Sequence, residues 1–68
     1  MKFLIDDMTC GHCAGRITKA VIATDTAADV RIDIASKIAD IKTSASVDDI
    51  ADAIVDAGYT PLLQPQQD

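Results

Sequence analysis

Glutamate is missing from this chain. All eleven acidic residues are Asp, spread from Asp6 to Asp68, and only six Lys and Arg oppose them, leaving a formal net charge of −5. A surface of that sign repels phosphate backbones, so nucleic acid is not an expected partner. It favours solubility and a partner with a basic docking face. Tryptophan is absent too, and Phe3 and Tyr59 are the only aromatic residues. The core must therefore be assembled from Ile, Val, Leu and Ala, within a chain that is 49% apolar and 68 residues long. A domain this short can carry a site at its surface but hardly a deep substrate cavity.

Long hydrophobic runs are also scarce. Lys2 is followed only by Phe3, Leu4 and Ile5 before Asp6 and Asp7 interrupt, too short for the apolar stretch of a secretory signal. No segment approaches the roughly 18 apolar residues of a membrane span. The expectation is one soluble, cytoplasmic domain over residues 1–68, with no membrane insertion and a frayed polar tail at 64–68.

The patterning that is present predicts six elements. Lys2 to Asp6 reads as a strand with Phe3 and Ile5 inward, Leu4 outward, and Met8 returning to the interior after a turn. Cys13 to Ala23 reads as an amphipathic helix with Cys13, Ile17, Ala20, Val21 and Thr24 at helical spacing, and Gly11 ahead of it frees the backbone to turn. Ala28 to Ile34 alternates Val30, Ile32 and Ile34 against Asp29, Arg31 and Asp33. After a short turn, Ile38 to Thr43 forms the second arm of a hairpin, with Ala39, Ile41 and Thr43 inward. Ser46 is a helix N-cap, with Asp48 and Asp49 at the positive end of the dipole. That helix runs to about Ala57, burying Val47, Ile50, Ala51, Ile54 and Val55, and Gly58 stops it. Tyr59 to Leu63 is the last strand. The order βαββαβ predicts an α+β, ferredoxin-like sandwich, a four-stranded antiparallel sheet with two helices on one face.

Chemistry is concentrated in one stretch, Met8-Thr9-Cys10-Gly11-His12-Cys13, between the first strand and the first helix. Free backbone N–H groups and the dipole at a helix start favour thiolate over thiol. Two thiolates separated by two residues can converge on one soft ion, Cu(I), Zn(II) or Hg(II), in preference to Mg or Ca. Structural zinc wants four ligands. The chain offers two Cys and one His, and His12, lying between the cysteines, is expected to point away from the ion they share. Cys10 and Cys13 as the metal ligands of a two-coordinate site thus suit Cu(I) best. An open site of this kind can also pass its ion on, or share it with a second copy as a copper-bridged homodimer.

The motif Met-x-Cys-x-x-Cys at Met8, Cys10 and Cys13, the element order and the Ala57-Gly58-Tyr59 step resemble the heavy-metal-associated domain family over nearly the whole chain. Free-standing bacterial members of this size are CopZ-like copper chaperones, not enzymes. The resemblance implies delivery of Cu(I) by thiolate exchange to the metal-binding domain of a copper-transporting P-type ATPase. It makes Met8 a buried anchor of the loop rather than a ligand and puts Tyr59 beside the loop. Zinc-selective members often carry Asp directly before the first cysteine, where this chain has Thr9. Arg16 and Lys19 on the first helix are candidates for partner docking, and His12 for tuning thiolate charge; the plainer reading leaves all three solvated.

Cys-Gly-His-Cys is also a redox tetrapeptide, so a thiol-disulfide oxidoreductase is the rival from the enzyme class. That reading wants a thioredoxin-like fold, a longer chain and usually a Trp before the first cysteine. A structural disulfide across so small a loop would stabilise weakly.

Overall fold

The computed structural model describes residues 1–9 and 11–65. In chain order these contain β1 (Lys2–Leu4), α1 (Gly11–Thr24), β2 (Asp29–Asp33), β3 (Ile38–Lys42), α2 (Val47–Asp56) and β4 (Leu62–Gln64). The strands form one antiparallel sheet in the order β2-β3-β1-β4, with β1 and β3 central. This is the ferredoxin-like arrangement that the element order implies, with both helices packed together over one face of the sheet.

The two-residue period of the strands and the 3.6-residue period of the helices meet in a single core. Phe3 and Ile5, Ala39 and Ile41 from β3, Ile17 and Val21 from α1, and Ile50 and Ile54 from α2 are sealed from solvent together with Met8. Phe3 is the pivot of the sheet, standing opposite Ala39 on one side and Leu63 on the other. Each large aliphatic side chain buried in this way stabilises the fold by roughly 1.5–3 kcal/mol. The ion pair Arg31–Asp29, at 3.7 Å and well exposed, adds little beside that.

Local signals set the helix ends. The Ser46 hydroxyl accepts from the Asp49 N–H at 3.1 Å, the N-cap expected of it. At the other end Gly58 adopts φ 100°, Gly58 N–H donates to Val55 O at 2.9 Å and Tyr59 N–H donates to Ile54 O at 3.2 Å. This pair of bonds is the Schellman stop, which needs a left-handed residue where a side chain would be strained. Beyond α1, the Asp25 carboxylate accepts from Ala27 N–H and the Thr43 hydroxyl, tying the α1–β2 connection to the segment that follows β3. Those bonds, the one from Thr43 foremost, hold its carboxyl below the usual value for Asp.

Several expectations are corrected. Val55 is 56% exposed rather than buried. The α2 stripe is centred on Ile50 and Ile54, and one step of about 100° carries Val55 past the part that the sheet covers. Thr24 is exposed, its hydroxyl donating to Ala20 O. Thr43 lies just beyond β3, which stops at Lys42, and works as a hydrogen-bonding residue. The last strand is displaced: Tyr59 to Pro61 form a connection because the N–H groups of Tyr59 and Thr60 are taken by Ile54 O and Asp7 Oδ1 and Pro61 has none. Gln64 pairs with Lys2 in β4 instead of joining the tail, and residues 66–68 lie outside the described part. Val30 and Ile32 are only half-buried because β2 is an edge strand.

The contrast between neighbours Ile54 and Val55 is directly measurable. Ile54→Ala should cost about 2–5 kcal/mol in urea unfolding, and Val55→Ala no more than about 0.5 kcal/mol. Equal losses would restore Val55 to the core.

Candidate metal centre

The site begins with a turn. Met8 N–H donates to Ile5 O at 3.0 Å, reversing the chain after β1 and returning Met8 to the core, where it has 0% exposure. Two further contacts brace the turn from outside. Lys37, in the left-handed conformation at φ 61° in the β2–β3 turn, receives the Ile5 N–H on its carbonyl at 2.8 Å and donates from Nζ to Asp6 O at 3.0 Å. On the other side, Thr60 N–H donates to Asp7 Oδ1 at 3.2 Å.

From this braced turn the chain enters α1, which starts two residues earlier than its pattern predicts. Gly11 is its first residue rather than a turn residue ahead of it, so Cys13 is third in the helix, within the first turn. The first N–H groups of a helix lack intrahelical partners and carry the positive end of the dipole. No acidic side chain occupies that first turn, whereas α2 carries Asp48 and Asp49 in the same place. The α1 terminus is therefore left to an anion of another kind, and a thiolate suits it.

Cys13 is half-buried against the core. Tyr59 stands beside it: hydrogen bonding with Cys13, ahead of burial and the charge of the Cys13 thiolate, pushes the Tyr59 pKa above the usual phenol value, while Arg16 pulls the other way. Arg16 thus lies close to the pair, and its side chain is exposed, as are those of His12 and Lys19. The Schellman stop puts Tyr59 at this position, packed on the core that includes Ile54. Cys10 lies outside the described residues. Among the described residues, no three of His, Cys, Asp and Glu converge as a metal cage would require.

A model of the heavy-metal-associated domain matches residues 2–60. The chain belongs to that family. Two solved structures show how closely the heavy-metal-associated fold is kept. One, described as a gold binding protein, is 46% identical with a TM-score of 0.87, the match covering 90% of this chain and 94% of that one. The other is the copper chaperone Atx1 from Synechocystis in a trimeric copper form, 31% identical with a TM-score of 0.89, covering 91% and 98%. A curated relative, Copper-transporting ATPase 2 of Rhizobium meliloti, is 31% identical over 97% of this chain, which spans only 8% of that protein's length. The family and its fold are those of a metal carrier and not of an enzyme. No helix among the described residues is long and apolar enough to cross a membrane.

With one Tyr and no Trp, absorbance reads Tyr59 alone. The fold favours its neutral form, so the stability this contributes is present below the ordinary phenol pKa and is lost as pH rises through the raised one. In reduced, metal-free protein, tyrosinate absorbance should emerge at higher pH than in urea-unfolded protein, and Cys13→Ala should move it back down. Coincident folded and unfolded titrations would contradict the contact.

Proposed function

We propose that this chain is a cytosolic copper chaperone that holds Cu(I) between the thiolates of Cys10 and Cys13 and hands it to the metal-binding domain of a copper-transporting P-type ATPase. The observation that carries the reading is Cys13 in the first turn of α1, half-buried on the core beside Tyr59 and three positions after Cys10. Cu(I) accepts two soft ligands. Zinc prefers a closed tetrahedron. A four-ligand His, Cys and Asp set that included Cys10 would still need three converging described residues, and none converge.

Met8 supports the loop from within the core, Tyr59 bonds the inner sulfur, and exposed His12 has no ligand role in the monomer. Arg16 and Lys19 offset the charge of a dithiolate centre and face the docking partner. Transfer proceeds by ligand exchange: a partner thiolate adds to Cu(I), giving a three-coordinate centre, and one original sulfur then leaves. One Cu–S bond forms before another breaks, so the pair of steps exchanges one sulfur for another and release is fast although the ion is held tightly. Likeness to part of a copper-transporting ATPase supports a partner with a similar domain. Two copies sharing one ion would form a copper-bridged homodimer.

The match to a gold binding protein favours a second reading, in which the cargo is another soft ion bound by the same sulfurs. Competition titrations of the reduced protein with Cu(I), Au(I) and Zn(II) decide between them. Cu(I) should prevail at matched pH. Cys10→Ser and Cys13→Ser should each abolish tight binding with the fold intact, and a partner dithiol domain should take Cu(I) faster than it dissociates to a chelator too bulky to enter the site. Unchanged affinity in either variant, or transfer no faster than dissociation, would refute the shuttle.

A further inference from the structure

Tyr59 stands beside Cys13, both packed on the same core, but comes from a different segment of chain, so something must fix the distance between the α2–β4 connection and the loop after β1. The Schellman stop fixes Tyr59 relative to α2 but not relative to the loop. The direct tie between the two is the carboxylate of Asp7, which accepts the Thr60 N–H, one residue beyond Tyr59, at 3.2 Å. Asp7 sits inside the Ile5–Met8 turn, between one end of the turn and the buried side chain that anchors the other. A carboxylate accepting from a backbone N–H is a charge-assisted bond and stronger than a neutral one.

We infer that Asp7 is a positioning residue for the metal centre: by holding Thr60, it sets Tyr59 against the sulfur of Cys13 and so tunes how tightly that sulfur holds its ion. This rests on the chaperone reading for its effect on copper, but the contact itself exists in the metal-free protein. The plainer role for an Asp here is turn formation, because Asp favours turns by bonding its own backbone. The bond to Thr60, fifty-three residues away in sequence, is not part of that role.

Two substitutions separate the roles. Asp7→Gly keeps a residue favoured in turns and deletes the acceptor; Asp7→Asn keeps an oxygen acceptor. Cu(I) partition against a chelator at fixed pH would be measured for both, for Tyr59→Phe and for the double variant, beside the near-ultraviolet circular dichroism of metal-free protein, which reads the single tyrosine. Asp7→Gly should shift partition by about two- to tenfold, the worth of one hydrogen bond, with the same sign as Tyr59→Phe. The double variant should match Tyr59→Phe alone in partition, Asp7→Asn should stay near wild type, and of the two Asp7 variants only Asp7→Gly should change the tyrosine signal. Full additivity with Tyr59→Phe, or an unchanged tyrosine signal in Asp7→Gly, would overturn the assignment. Wild-type protein that failed to bind Cu(I) would overturn the chaperone reading instead, and the tyrosine signal of metal-free Asp7→Gly would still decide whether Asp7 sets Tyr59.

Discussion

The burial of Met8 is the constraint on which the metal loop depends. A loop between a strand and a helix has many conformations, and a thiolate pair can bind an ion tightly only if little of that freedom is lost on binding. Sealing a long, adaptable side chain two residues before Cys10 anchors the loop to the same core that holds α1 and α2. Loop geometry and domain stability are thereby coupled. The turn that leads into the loop keeps its shape as long as the core is packed.

Around that anchor the fold gathers contributions from every connection at one end of the molecule. Lys37 from the β2–β3 turn and Thr60 from the α2–β4 connection brace the turn after β1, and Tyr59 from the same connection stands beside Cys13 at the start of α1. The left-handed Lys37 is part of this design. A non-glycine residue there costs on the order of 1–2 kcal/mol, which its carbonyl and ammonium offset by holding Ile5 and Asp6. Electrostatically the site departs from the rest of the chain. The net charge is −5, yet the first turn of α1 is free of acids and Arg16 stands beside Tyr59, so a thiolate at the helix start meets no carboxylate of its own turn.

Much of the fold is legible in the sequence because its determinants are local: the alternation through β2, the Ser46 cap, the left-handed Gly58 and the spacing of Ile17 with Val21. What local patterning misses is set by partners distant in the chain. Tyr59 and Thr60 look like strand residues until the helix stop and Asp7 claim their N–H groups. Val55 has the spacing of a core residue, but the sheet does not extend over it. Asp7 and Lys37 give no signal as supports of the loop, since Asp in a turn and Lys in a hairpin are ordinary, and only the fold brings Lys37 to the turn after β1 and Thr60 to Asp7. The cysteine pair, by contrast, reads as a soft-metal site only in combination with Met8, the short chain and the element order, because Cys-Gly-His-Cys by itself fits a redox motif equally well.

The central claim is that a single Cu(I) is held by sulfur alone, in an arrangement open enough for exchange. X-ray absorption at the copper edge, on reduced protein loaded with one Cu(I) and kept dilute enough to be monomeric, tests it most directly. Copper should be bound by two sulfur atoms and nothing else, a signal lost on substitution of Cys10 or Cys13. A nitrogen scatterer from His12, or a closed four-coordinate shell, would contradict it.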